Sequence, residues 1–419
     1  MEKILRKIEK IIPKKIYTFF QPFYHFILAV LGTVVYRYPS KKIYVVAVTG
    51  TKGKSSTTEF INAILESAGK KTAILSTIRF KIGNESRANK YKMTMPGRLF
   101  TQKFLRDAVN NNCEYAIIEM TSEGARFYRH LGVYLDALIF TNLSPEHVES
   151  HGGFENYKNA KLKLVKHLAK SKKRSRLSIA NIDNKYGSNF LIYDVDKNIP
   201  YSIKDVEIVN EDDYGSDIVF NKTKIHISLP GRFNILNAIS AMKLAHELGI
   251  SNETIKKGLE NLTLIRGRVE KIDVGQNFTV VVDYAHTDDS LKKLYETFPN
   301  SRKIAVLGST GGGRDSWKRP VLGKIADEYC DEIIITNEDP YDEDPNKIIK
   351  EVADGIKNHT PKIILNRRDA IAYAISLAKK DDVILITGKG TDPYIMGPNG
   401  TKEKWDDATV AREELGKVR

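Results

Sequence analysis

The stretch VVAVTGTKGKSSTTEF, residues 45–60, constrains the fold more than any other. Small and β-branched apolar residues run straight into Gly50-Thr51-Lys52-Gly53-Lys54-Ser55, and helix-forming residues follow. A buried strand that ends in a glycine-rich turn and restarts as a helix opens a β-α unit, and the backbone amides of such a turn face an anion. The same punctuation recurs. Strands are expected at 43–48, 115–119, 137–141, 280–283, 303–307, 332–336 and 383–387, nearly all running into polar or glycine-rich loops. Strand, loop and helix in alternation predict α/β layers with mostly parallel sheets, whose ligands sit at the carboxyl ends of strands. Residues 178–230 are more polar and read as a β-rich edge meander, and 231–249 as a loop leading into an amphipathic helix. A junction is expected at 262–272, before a second α/β unit.

A chain of 419 residues exceeds one small core and predicts two or three domains. Its two cysteines, Cys113 and Cys330, exclude a disulfide framework or a four-cysteine zinc site and fit a reducing cytoplasm. The net charge of +14 is unevenly spread: residues 1–42 carry nine Lys/Arg against Glu2 and Glu9, or +7. Between these charges lies IYTFFQPFYHFILAVLGTVVY, residues 16–36. It has no small-residue cleavage site, and Gln21-Pro22 and His25 make it a poor membrane span. Two readings stand side by side: peripheral association with an anionic membrane at the cytoplasmic (inner) face, or a helical arm packed on the protein's own body. No nucleic-acid-binding motif is present, so nucleic acid is not an expected partner.

In a phosphate loop, glycines let amides face phosphate oxygens while a lysine and a hydroxyl serve the phosphates and Mg²⁺. Val48 stands where the strict pattern has glycine, and on this loop alone a plain glycine-rich turn is the alternative. The variant T-G-T-x-G-K-[ST], however, resembles the ATP loop of the Mur ligase family, which joins amino acids to the growing peptide of peptidoglycan precursors. The resemblance implies that Gly50 and Gly53 shape the loop and that Lys54 reaches the β/γ-phosphates. It puts Ser55 on the metal, with Thr51, Lys52 and Ser56 completing the nucleotide contacts.

Other motifs follow in family order. YAIIEMTSEG is similar to the family stretch whose strand-end glutamate binds Mg²⁺, which implies a metal role for Glu119 and a substrate-side position for Ser122, with Thr94 on the same side. TNLSPEHVESHGGFENYKNAK, 141–161, resembles the stretch carrying the histidine of a second Mg²⁺ and a carbamylated lysine, implying those roles for His147 and Lys161. Glu146 and Glu149 replace the usual aspartates there. LPGRFNILNAISA places Asn234 and Asn237 on the adenine side of ATP.

The second unit continues the series. IRGRVEKI resembles the family hinge, with Arg268 and Glu270 matching. VVVDYAHTDDSL implies nucleotide contacts by Asp283 and His286. GSTGGGRDSWKRP implies that Arg314 and Lys318 stabilise the charge of an acyl-phosphate reaction. TNEDPYDEDP and GKGTDPY are similar to the amino-acid pocket of the tripeptide-synthetase branch, implying substrate contacts by Glu338, Asp339, Pro340, Tyr341, Gly388 and Asp392. In diaminopimelate-adding members an arginine in that pocket grips the distal carboxylate, and Tyr341 occupies its place. A phenol cannot form a bidentate salt bridge, which argues against diaminopimelate. Asp339, Asp342, Glu343 and Asp344 would suit a cationic side chain instead, or simply form a solvated loop.

The resemblance spans about residues 43–419. It implies a basic, apolar arm (1–42), a central ATP-binding domain with a P-loop-type, mostly parallel sheet (43–266), and a C-terminal Rossmann-like α/β domain that binds the amino acid (267–419). The usual UDP-binding domain is not expected before the loop. The implied activity is ATP-dependent peptide ligation onto a UDP- or lipid-linked muramoyl-peptide, with two Mg²⁺ ions. A folylpolyglutamate-synthetase-like ligase is the neighbouring alternative. A non-catalytic, nucleotide-dependent membrane scaffold is the alternative of another class.

Overall fold

The computed structural model describes residues 14–146, 148–173 and 175–418. Two compact units interleave along the chain. The first comprises residues up to Gly50, Gly69–Asn142 and Tyr157–Pro200; the second comprises Thr51–Ala68, Leu143–Asn156 and Tyr201–Arg419.

The first unit is built on an eight-stranded sheet. Its strands are β1 (Tyr44–Thr49), β2 (Thr72–Leu75), β3 (Arg79–Ile82), β4 (Glu85–Ala88), β5 (Tyr115–Glu119), β6 (Ala137–Phe140), β7 (Leu177–Asn181) and β8 (Lys197–Tyr201). Their order is β4-β3-β2-β5-β1-β6-β7-β8. β1 runs parallel to both β5 and β6, with Val48 beside Glu119 and Thr49 beside Phe140. Val45–Val48 are fully buried, as a central parallel strand covered on both faces requires. The loops after β1 and β5 therefore leave the same edge, where expected site residues lie.

The arm belongs to this unit. Residues Lys14–Val35 form one helix, and one of its faces packs on the helix Arg98–Asn110 and on the turn after Ser122–Arg126. Ala29 and Thr33 are buried, and the His25 ring meets Phe127 edge-on at 5.3 Å. A β-carbon on Gly132 would come within 1.7 Å of Thr33 Oγ1, so only glycine allows the close approach. Arg106 donates to the Tyr36 carbonyl from Nε (3.0 Å) and Nη2 (2.8 Å), satisfying a carbonyl just past the helix end. The packed-arm reading thus holds for this face. Among the described residues, no helix is long and apolar enough to cross a membrane.

In the second unit, β9 (Glu207–Asp212), β10 (Gly215–Phe220) and β11 (Thr223–Ile227) form a separate antiparallel sheet, ordered β11-β10-β9. The expected meander is therefore divided: β7 and β8 extend the first sheet and the rest stands alone. A six-stranded sheet contains β12 (Glu270–Ile272), β13 (Thr279–Asp283), β14 (Lys303–Leu307), β15 (Glu332–Ile335), β16 (Lys362–Ile363) and β17 (Val383–Thr387). Its order is β12-β13-β17-β14-β15-β16, parallel except for β12, with apolar cores on both faces. A two-stranded hairpin, β18 (Tyr394–Met396) and β19 (Lys402–Lys404), follows it.

Candidate active site

In the first unit, Glu119 ends β5 with no exposed surface. Its carboxylate accepts from the Thr77 amide (3.1 Å) and the Thr77 hydroxyl (2.9 Å), and that hydroxyl lies 2.9 Å from Thr94 Oγ1. Thr94 and Glu119 are therefore linked through Thr77, a residue sequence reasoning missed because β2 was not recognised as a strand. Ser122 is buried at the start of its short helix. Lys161 is only 2% exposed; its Nζ donates to the Gly50 carbonyl at 2.7 Å and lies 4.9 Å from the Tyr157 ring centre.

The rest of the loop belongs to the second unit. Gly53, at φ +81°, precedes the helix Lys54–Ser67, which has no acidic residue in its first turn and no side-chain cap. Such an uncapped N-terminus presents amides and the positive end of the helix dipole to an anion. Lys54 Nζ folds onto the Thr51 carbonyl at 2.9 Å, and Thr51 Oγ1 accepts from the Ser144 amide at 3.1 Å. Asn237 closes the loop from behind: a β-carbon on Gly53 would fall 2.3 Å from its Oδ1. Asn234 and Asn237 are both buried in the helix Arg232–Glu247, with Asn237 against the phosphate loop and Asn234 donating to the Pro230 carbonyl. Arg268 reaches Ser55 Oγ at 3.4 Å while lying over the Tyr284 ring.

Three distant stretches then meet. Lys52 Nζ is 3.1 Å from Glu146 Oε1 and 3.1 Å from His286 Nε2, and the latter two atoms are 2.9 Å apart. His286 Nδ1 lies 2.6 Å from the Tyr284 carbonyl, so Nδ1 carries the proton. Burial, and then Lys52, hold the imidazole pKa down to about 3, so Nε2 is the acceptor and the Lys52 ammonium bridges ring and carboxylate.

Sequence models of the Mur ligase middle domain and of the Mur ligase glutamate ligase domain match residues 48–245 and 267–390. The diaminopimelate ligase (UDP-N-acetylmuramoyl-L-alanyl-D-glutamate--2,6-diaminopimelate ligase) of Syntrophomonas wolfei is 36% identical over 408 residues, covering 94% of this chain and 82% of its own. The chain belongs to the Mur ligase family. The UDP-N-acetylmuramyl-tripeptide synthetase of a Roseiflexus species is 34% identical, at 93% and 82% coverage. A solved diaminopimelate ligase of the same name superimposes with TM-score 0.61 at 26% identity, covering 90% of this chain and 79% of that one. The folylpolyglutamate synthase of Mycobacterium tuberculosis, at TM-score 0.69 and 13% identity over 93% and 95% of the two chains, shares the fold. Mur ligases are ATP-dependent, ADP-forming enzymes with Mg²⁺ as the usual metal.

The other expected site residues of this Mur ligase belong to the second unit, most of them in the loops that follow its parallel strands. Both oxygens of Asp283 accept backbone amides, from Val269 (2.8 Å) and Ala285 (2.7 Å), tying the chain before β12 to β13. Burial works against the charge of Arg314, but Tyr284, Tyr341, Asp339 and Asp392 outweigh it and raise its pKa. Asp392, then burial, pushes the Tyr284 phenol well up, so it stays a proton donor. Lys318 Nζ donates to the His286 carbonyl at 3.2 Å, and burial lowers its pKa.

Lys389, absent from the expected set although Gly388 and Asp392 of the same motif were in it, is fully buried between Asp339 (2.8 Å) and Asp392 (3.5 Å). Glu338 accepts from Thr310 Oγ1 at 2.5 Å, while its buried Oε2 has no hydrogen-bond partner among the described residues. A β-carbon at Gly388 would sit 2.4 Å from that oxygen. Tyr341, after Pro340, holds a left-handed backbone (φ +53°) and packs its ring against Gly312. Asp342 and Asp344 are exposed and Glu343 is half-buried, so the acidic run meets solvent, but each of the three carboxylates also has a partner in the fold. Asp342 accepts from the Asn399 amide, Glu343 from the Gly313 amide and Arg319, and Asp344 caps the helix Pro345–Ala353.

These residues suit a magnesium nucleotide. The loop supplies an uncapped helix start and two glycines whose β-carbons would clash. Among the described residues no three His, Cys, Asp or Glu side chains gather as a cage. Single carboxylates and hydroxyls with phosphate oxygens are the usual Mg²⁺ set. His147 lies outside the described residues.

Proposed function

We propose that this Mur ligase adds an amino acid to a muramoyl-peptide precursor of peptidoglycan, through an acyl phosphate formed from ATP. The observation that carries the reading is the meeting of Lys52, Glu146 and His286: three separate family motifs converge within 3.1 Å. Bound Mg²⁺ supplies charge neutralisation for the transferring phosphoryl group. Lys54 holds the phosphates, and Ser55, Glu119, His147 and a carbamylated Lys161 are the proposed ligands of two ions. Arg314 and Lys318 steady the acyl phosphate while the amino-acid amine attacks. Glu338, Gly388 and Asp392 line the amino-acid side, and Tyr341 in place of arginine disfavours a substrate with a distal carboxylate.

We retain 43–266 and 267–419 as the ATP-binding and amino-acid-binding domains. We place the reaction in the cytoplasm at the inner face of the membrane, with residues 1–42 as a peripheral contact and the acceptor UDP- or lipid-linked. The identity to muramoyl-peptide ligases favours this acceptor over folate, since the likeness to folylpolyglutamate synthase extends to fold alone. The test is ADP release across a panel of amino acids, with UDP-linked and lipid-linked muramoyl-dipeptide. No amino-acid-dependent turnover with either acceptor would overturn the reading, and undiminished turnover in Lys161→Ala would remove the metal-site assignment.

A further inference from the structure

The arm helix is two-faced. His25, Ala29, Gly32 and Thr33 lie towards the body of the first unit. Phe23, Ile27, Val30, Leu31 and Val34 recur at helical spacing on the other side, and each exposes 45–61% of its surface. Isolated exposed apolar residues need no explanation, but a continuous stripe on a helix does.

We propose that this helix is an in-plane membrane anchor: the stripe sinks into the interface of an anionic bilayer while the opposite face stays packed on the helix Arg98–Asn110. The inference rests on the reading that residues 1–42 meet the membrane, and it assigns the contact to one helix face.

Three observations select a bilayer. Residues 14–42 contain Lys14, Lys15, Arg37, Lys41 and Lys42 and no Asp or Glu. Two copies paired through their stripes would bring those like charges together, whereas anionic headgroups complement them. Lys41 lies 4.6 Å from the Tyr38 ring centre and 5.1 Å from that of Tyr134, a cation–aromatic cluster suited to headgroup depth. The helix also fails as a membrane span, while a sided apolar face with basic flanks is what an interfacial helix needs. The Gly132–Thr33 contact and the Arg106 grip hold it formed beforehand, so docking requires no coil-to-helix transition.

The test is flotation of the full-length protein with phosphatidylcholine vesicles, with and without phosphatidylglycerol. Wild type is expected on the anionic vesicles. The triple variant Ile27→Ser/Leu31→Ser/Val34→Ser should lose about ten-fold or more of that binding with a nearly unchanged melting temperature, since the positions are exposed. Undiminished binding of the triple variant, with loss in Lys3→Gln/Arg6→Gln/Lys7→Gln/Lys10→Gln, would overturn the stripe and leave a membrane-bound arm. Absence of wild-type binding to either vesicle would overturn both readings. A wild-type dimer in sedimentation that the triple variant lacks, without vesicle binding, would give the stripe to a second copy and overturn the proposal.

Discussion

Two helices of this enzyme invert the usual relation between composition and burial. The arm helix reads KKIYTFFQPFYHFILAVLGTVV and is largely apolar, yet Phe23, Ile27, Val30, Leu31 and Val34 are all exposed. The helix after the phosphate loop reads KSSTTEFINAILES, yet Ser55–Asn62, Ile64 and Leu65 are all buried, with Arg232–Glu247 and Asn252–Glu260 packed on it. Hydropathy states what a segment tolerates; its neighbours decide where it sits. Polar residues are buried in the second helix because two other helices cover it, and apolar ones are exposed in the first because, among the described residues, its packing covers one face.

The largest effect expected from breaking this contrast is chemical. Lys54→Ala should lower amino-acid-dependent ADP release by about a thousand-fold or more, with a far smaller effect on the melting temperature, where the loss of its bond to the Thr51 carbonyl would show. Retained turnover would remove the loop from the mechanism. Next comes packing. Ile64→Ala, at a fully buried position of the same helix, should destabilise by about 2–5 kcal/mol in denaturant melts. Comparable loss on truncating the exposed Val30 would contradict the contrast.

A pH effect of similar or smaller size concerns His130, two residues before the Gly132 contact with the arm. Burial, His167 and Lys163 hold the His130 imidazole down at about 3, against an ordinary 6.5. The folded state therefore prefers the neutral ring, and the unfolded chain binds the extra proton between those values. Stability is complete above about pH 6.5 and falls towards pH 3, by roughly 2 kcal/mol from this group at pH 5. Melting His130→Phe at pH 7.5 and pH 5 should show a shallower pH slope than wild type; equal slopes would remove His130 as its source. The smallest effect should be at Val30→Ala, within about 0.5 kcal/mol of wild type.

What was legible in the sequence was local. β5, β14 and β17 occupy the expected residues, and most other strand limits moved by one position, because continuous apolar runs and the turns after them are written in consecutive residues. The glycine-rich turn between β1 and the helix Lys54–Ser67 was legible for the same reason. The partners of charged groups were not. Asp342, Glu343 and Asp344 look like free charge until the Asn399 and Gly313 amides and a helix start take them up. Lys389 looks like one surface lysine among many until the hairpin and the Asp-Pro loop enclose it. Each depends on chain that returns from a distance, which neither spacing nor composition encodes. The arm was legible in kind, with two readings for one segment, because a helix can give its two faces different surroundings.

The Gly53–Asn237 contact has a consequence for how this sequence can change over time. A side chain at 53 meets the amide at 237 before it meets any ligand. A substitution at either site thus alters which residues are tolerated at the other, although 184 positions separate them in the chain. The pair forms an epistatic lock: among variants of this enzyme, a non-glycine residue at 53 should survive only alongside a smaller one at 237.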